Sequence, residues 1–219
     1  MHSDTINSGL RDCYATALPV LLRSWQPASG DSRPMLLRVS EAYASAPLKV
    51  AVIGQEAGGW GEQHSCEVDP LMHLYAEFMA SSAYLYSPFW QAARHVVEAL
   101  VGDYVRESHL WSNLVKVDVR KKRPSPELES RVASLDLLQT ELAIAKPDAV
   151  LFQTGPGYDA RLLATFRKAR LRSLAGGTAA IDGLPWPAVR TYHGRFLRMS
   201  RRWKELDVAV KHLQGSATA

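Results

Sequence analysis

With 219 residues, 47% hydrophobic and 22% charged, the chain has the size and balance of one globular domain that buries a layered core without disulfide or metal staples. Its net charge is +4, and its only cysteines, Cys13 and Cys66, are too few for a four-cysteine zinc site or an iron–sulfur cluster. No apolar run approaches the ~18 residues of a membrane span, and Met1 to Gly9 lacks an apolar signal core. A cytoplasmic protein with reduced thiols is therefore expected.

In chain order, Leu10, Cys13, Tyr14, Ala17, Leu18, Leu21 and Leu22 fall at helical spacing and predict an amphipathic helix over about Ser8 to Trp25. A polar loop from Gln26 to Pro34 follows, then a weaker helix to about Ser45. Pro47 ends it and opens a β-branched strand, Leu48 to Ile53. Three more short apolar strands are predicted at His109–Val115, Ala149–Gln153 and Ala188–Tyr192. Helical patterns lie at Asp69–Ser82, Pro88–Val101, Pro126–Ala145, Tyr158–Leu171 and Met199–Leu213. Strands alternating with helices predict an α/β fold, a three-layer α/β/α sandwich around a four-stranded parallel sheet with Leu48–Ile53 central. Residues 1–46 read as a helical extension packed on a core domain of residues 47–219.

The charge is unevenly spread. Residues 1–100 hold 6 Lys/Arg against 10 Asp/Glu, whereas residues 101–219 hold 20 against 12. Basic clusters stand at Arg120–Arg123, at Arg167, Lys168, Arg170 and Arg172, and at Arg195, Arg198, Arg201, Arg202 and Lys204. A one-sided basic surface suits a polyanion, which makes nucleic acid the expected partner.

Open parallel sheets bind ligands outside the carboxyl ends of their strands. The first predicted strand runs into Gly54-Gln55-Glu56-Ala57-Gly58-Gly59-Trp60-Gly61, where glycines allow close approach of backbone to ligand. That spacing fits neither the dinucleotide fingerprint nor the Walker loop. The second strand delivers Asn113, an amide able to donate and accept at the edge of a base. The third ends in Gln153-Thr154-Gly155-Pro156-Gly157, and the fourth in Tyr192-His193-Gly194-Arg195. Trp60 and Phe89-Trp90 are candidate stacking aromatics. His64, Cys66, Asp69 and His73 have metal-ligand chemistry but no recognisable ligand spacing, so neither metal nor cofactor is expected.

Taken in order, Gly54-Gln55-Glu56-Ala57-Gly58, Trp111-Ser112-Asn113 and His193-Gly194-Arg195-Phe196-Leu197 resemble the three motifs of the uracil-DNA glycosylase superfamily, from about Leu48 to Leu213. The likeness is greatest to divergent members whose first motif reads Gly-Gln-Glu-x-x-x-Trp. It implies an enzyme that takes a uracil or another altered base out of the stack and hydrolyses its N-glycosidic bond. By the same resemblance, Glu56 and His193 are catalytic, while Gln55, Asn113, Trp60 and Gly58 bind the base. Leu197 falls where a side chain wedges into the DNA stack, with Arg195 and Arg198 as nucleic-acid contacts. The sequence departs from the family in the longer Glu56, in Gly58 where a tyrosine excludes the thymine methyl, and in a last motif without its prolines. A non-catalytic base or nucleic-acid binder of the same fold, and an unrelated hydrolase or transferase on a doubly wound sheet, are the competing readings.

Overall fold

The computed structural model describes residues 2–82, 86–102, 105 and 107–217. The first helix, α1 (Ser3–Ser24), buries Ile6, Leu10, Tyr14, Ala17, Leu18 and Leu21 along one stripe. The next stretch is extended where a helix was expected, and only α2 (Glu41–Ala44) is helical there. Side chains of α1 make the extended form possible by taking up its backbone groups. The Leu37 N–H donates to the Tyr14 hydroxyl at 2.9 Å, and the Val39 N–H donates to Asn7 Oδ1 at 2.7 Å. Ile6, Leu10 and Tyr14 share one hydrophobic cluster with Met35, Leu36, Leu37 and the central strands, so residues 2–46 are part of the core.

Strand β1 (Val50–Gly54) is followed by α3 (Val68–Ala80) and α4 (Pro88–Val101). Helix α4 begins where expected because Ser87 caps it and Pro88 occupies its first turn; it ends at Gly102, which adopts a φ of 92°. Strand β2 (His109–Asn113) leads to α5 (Pro126–Ala133) and α6 (Leu137–Ala145). These two had read as one helix, but the chain breaks at Asp136, which takes a φ of 48°. Strand β3 (Ala149–Phe152) precedes a single 3₁₀ turn at Pro156–Tyr158 and then α7 (Asp159–Thr165). The remaining elements are β4 (Arg170–Ser173), β5 (Ala179–Asp182), β6 (Ala188–Arg190), α8 (Gly194–Met199) and α9 (Glu205–Ala217).

The sheet is mixed and six-stranded, in the order β2-β1-β3-β6-β5-β4. The four expected strands form its parallel part, with β1 between β2 and β3. The expectation of a sheet of four parallel strands is corrected by β4 and β5, an antiparallel hairpin added beside β6. Arg170 and Leu171, the first half of β4, fall inside the helix expected over Tyr158–Leu171, because a lone Leu between two arginines carries no strand alternation of its own. The Gly176-Gly177 pair at the hairpin connection was the signal for it. Strand β4 is the outer edge, and its exposed arginines blunt that edge against further pairing. Every residue of β1, β3 and β6 is buried, so both faces of the parallel strands are covered.

A polar cluster ties the two sides of this core. Buried Lys116 donates to the Glu141 carboxylate and to the Ser112 hydroxyl, while the Tyr14 hydroxyl donates to Glu141 Oε1 at 2.8 Å. Burial pushes the lysine down and the glutamate up, and each ion offsets part of the other's desolvation. Among the described residues no helix is long and apolar enough to cross a membrane.

Candidate functional site

The carboxyl ends of β1, β2 and β6 open into one cleft of about 270 Å³. Gly54, Gln55, Glu56, Ala57 and Gly58 line it from the first strand, Trp111 and Asn113 from the second, and His193 from the last, with Phe89 of α4 as a further wall. Gln55 and His193, 138 positions apart in the sequence, meet because β1, β3 and β6 are neighbours in the sheet.

Each group is held by its surroundings. The Gln55 side-chain amide donates to the Thr154 carbonyl at 2.7 Å, tying the first loop to the third. Gly58, Gly59 and Gly61 all take positive φ, so the loop turns in a way side chains resist. The Gly59 N–H and the Lys121 N–H both donate to the buried Asp118 carboxylate, which fixes the glycine-rich loop against residues 118–121. Asn113 is only 2% exposed; its Nδ2 donates to Met35 Sδ at 3.2 Å, supported by the extended N-terminal segment.

Glu56 is half-buried, and one of its oxygens, Oε2, accepts a short hydrogen bond from the Tyr158 hydroxyl. Burial, then this contact, push the Tyr158 phenol well above its ordinary range, so it stays a donor. The Arg123 guanidinium lies 4.5 Å from the centre of the Tyr158 ring and donates twice to Glu129, at 2.8 Å each. The carboxylate is thus positioned by a chain of contacts running outward through Tyr158 and Arg123.

His193 stacks on Phe89, with ring centres 5.4 Å apart. The Arg195 N–H donates to His193 Nδ1 at 3.2 Å. Burial first, and the nearby Arg195 charge second, push the imidazole below its ordinary value, so it is neutral at pH 7. With Nδ1 accepting, the proton of the neutral ring sits on Nε2, which makes Nε2–H a donor.

Of the residues expected in the site, Gln55, Glu56, Gly58, Asn113 and His193 line the cleft. Trp60 does not. It is 7% exposed and packs edge-on against Phe78 and Trp111, at 5.2 and 5.5 Å between centres, because its large ring is worth more in the aromatic core than at the loop surface. Leu197 is also displaced from its expected role as a wedge. It is fully buried on the inner side of α8, while Phe196 and Met199 of the same helix are 44% and 74% exposed. Arg195 and Arg198 are exposed on α8, and Arg198 donates to Gln91 Oε1 at 3.3 Å. Arg167, Lys168, Arg170 and Arg172 lie at the other end of the sheet order, on or just before edge strand β4.

Tyr158, which contacts Glu56, is a member of this candidate site that the sequence did not single out. It directly follows the Thr154–Gly157 loop at the end of β3, and that position was the available signal. Of the four metal-ligand types from His64 to His73, two are engaged elsewhere: Asp69 pairs with Arg11 at 2.8 Å and His73 with Glu77 at 3.2 Å. Among the described residues no three His, Cys, Asp or Glu side chains converge as metal ligands. No model of a protein family matches the chain, and no curated protein matches it significantly.

Proposed function

We propose that the chain is a uracil-DNA-glycosylase-like enzyme with a three-layer α/β/α arrangement, which hydrolyses the N-glycosidic bond of an altered base in DNA. The observation that carries this reading is the meeting of Glu56, Asn113 and His193 in one cleft walled by Phe89. An extruded base fits such a site against an aromatic wall, with Asn113 at its hydrogen-bonding edge. As the bond from C1′ to the base nitrogen breaks, its electron pair moves onto the base, and negative charge grows on a ring oxygen. The neutral His193 Nε2–H stabilises that oxygen by donating to it. Positive charge grows on the sugar at the same time. The Glu56 carboxylate, steadied by Tyr158, stabilises that charge and orients the water whose oxygen bonds to C1′. The water gives up one proton to solvent or carboxylate, and the departing base anion takes one up.

The basic residues support a polyanionic substrate. Lys121 packs along Gly59 on one side of the cleft, and α8 carries Arg195 and Arg198 away from His193 on the other. At Gly58 an added Cβ would meet nothing within 4 Å, so this side of the cleft leaves room for substituents on the base. The test is a single-turnover assay on oligonucleotides bearing uracil, hypoxanthine, xanthine or alkylated bases. Release of at least one of these bases, lost in Glu56→Gln, is expected. Binding through Asn113 without release of any base would replace this reading with that of a non-catalytic binder.

A further inference from the structure

Helix α8 begins at the cleft and ends at a second, separate depression. There, two adjoining hollows of about 520 and 330 Å³ run between α4 and the link from α8 to α9, and both are walled by Gln91 and Trp203. The larger has buried Leu197 at its floor and Arg198, Arg201 and Lys204 around it. None of these three cations pairs with a carboxylate among the described residues. The cationic groups of the smaller hollow have acidic partners, Arg94 with Glu98 at 2.8 Å and His95 with Asp207 at 2.9 Å.

Arg201 is held there by backbone geometry. The Arg202 N–H donates to the Leu197 carbonyl at 2.8 Å and the Arg201 N–H to the Arg198 carbonyl at 3.3 Å, which closes α8 with a left-handed residue. Glycine is the usual occupant of that position, but here it is Arg201, with a φ of 57°. A guanidinium thus stands beside a half-buried indole at a position where a cation costs backbone strain. At a rise of 1.5 Å per residue, the six residues of α8 place this corner only about 9 Å from its start at the cleft.

We propose that the hollow holds an unpaired nucleotide of a single-stranded DNA segment flanking the target base, its base stacked on Trp203 and its phosphates against Arg198, Arg201 and Lys204. An indole with cations around it that no carboxylate neutralises suits a strand whose bases are unstacked, whereas a duplex keeps its bases out of reach of such a wall. This proposal rests on reading the cleft as a nucleic-acid site, yet it is measured without catalysis.

The probe is a fluorescent ten-residue oligo(dT), with binding to the full chain followed by anisotropy over a range of salt concentrations. Trp203→Ala is expected to weaken binding about 5- to 150-fold, with a much smaller loss for a duplex of the same length. Arg201→Gly relieves the backbone, so the fold is retained or strengthened. It is nonetheless expected to weaken binding and to reduce the salt slope by about 0.7, the value for one phosphate contact on a single strand. Unchanged oligo(dT) affinity in both variants overturns the proposal, as does an equal loss for single strand and duplex in Trp203→Ala. Absence of base release from every oligonucleotide overturns the reading of the cleft alone, and binding that is indifferent to Trp203 overturns this proposal alone.

Discussion

At the end of β1, Gly54 lies directly beneath the Asn113 side chain: a methyl group on Gly54 would overlap Asn113 Oδ1 and press on the Phe89 ring at 3.3 Å. The glycine is therefore required by close approach. Gly54→Ala is expected to turn Asn113 out of position and to erase about 1–3 kcal/mol of discrimination among bases, as does Asn113→Ala. Relative single-turnover rates over the panel of altered bases measure it. Undiminished selectivity in Gly54→Ala would place base reading elsewhere.

The contact between Tyr158 and Glu56 makes a separate prediction. If the phenol acts by holding the carboxylate, the two residues are coupled. Tyr158→Phe is expected to slow the single-turnover rate about tenfold, a loss of about 1.4 kcal/mol. The double variant Glu56→Gln/Tyr158→Phe is then expected to be little slower than Glu56→Gln alone. Fully additive losses would mean that Tyr158 acts independently of the carboxylate.

Helix α8 separates stability from binding on neighbouring residues. Leu197 is fully buried, so Leu197→Ala is expected to destabilise the fold by about 2–5 kcal/mol in urea denaturation. Phe196→Ala, on the exposed side, is expected to cost less than about 1 kcal/mol, because its ring contacts only Tyr192 among the described aromatic pairs. The reverse order of effects would restore Leu197 as the exposed member.

Acid stability turns on His109. Burial lowers its pKa to about 4, from an ordinary value of 6.5. Between these values the unfolded chain binds the proton and the folded chain does not, so stability falls as pH drops from about 6.5 toward 4. The full contribution is about 3 kcal/mol, from 1.36 kcal/mol per pH unit. His109→Phe is expected to flatten this part of the stability profile relative to the native chain. Identical slopes for the two proteins would exclude His109 as the source.

The parallel half of the sheet, and the meeting of Glu56, Asn113 and His193 in one cleft at its strand ends, were legible in the sequence for one physical reason. Buried parallel strands read as short apolar runs, and a polar residue at the end of such a run emerges at the ligand crevice, as Glu56, Asn113 and His193 do. The β4–β5 hairpin was not legible, because Arg170, Arg172 and the alanines of β5 gain their strand form from pairing with β6 and with each other. Trp60 and Leu197 were misplaced for a related reason: in a loop or a one-turn helix, which side chain turns inward is decided by what lies beneath it. Tyr158 meets Glu56 across 102 positions of sequence, a tertiary contact without a local pattern.

The most direct test of catalysis by this cleft is the response of His193→Ala, measured as single-turnover base release alongside substrate affinity. Because the imidazole donates to charge that grows only as the bond breaks, its contribution belongs to the transition state. The expected result is a rate about 10²–10³ lower with affinity nearly unchanged. A variant that loses affinity but keeps the native rate, or a native chain that releases no base from any oligonucleotide, would contradict it.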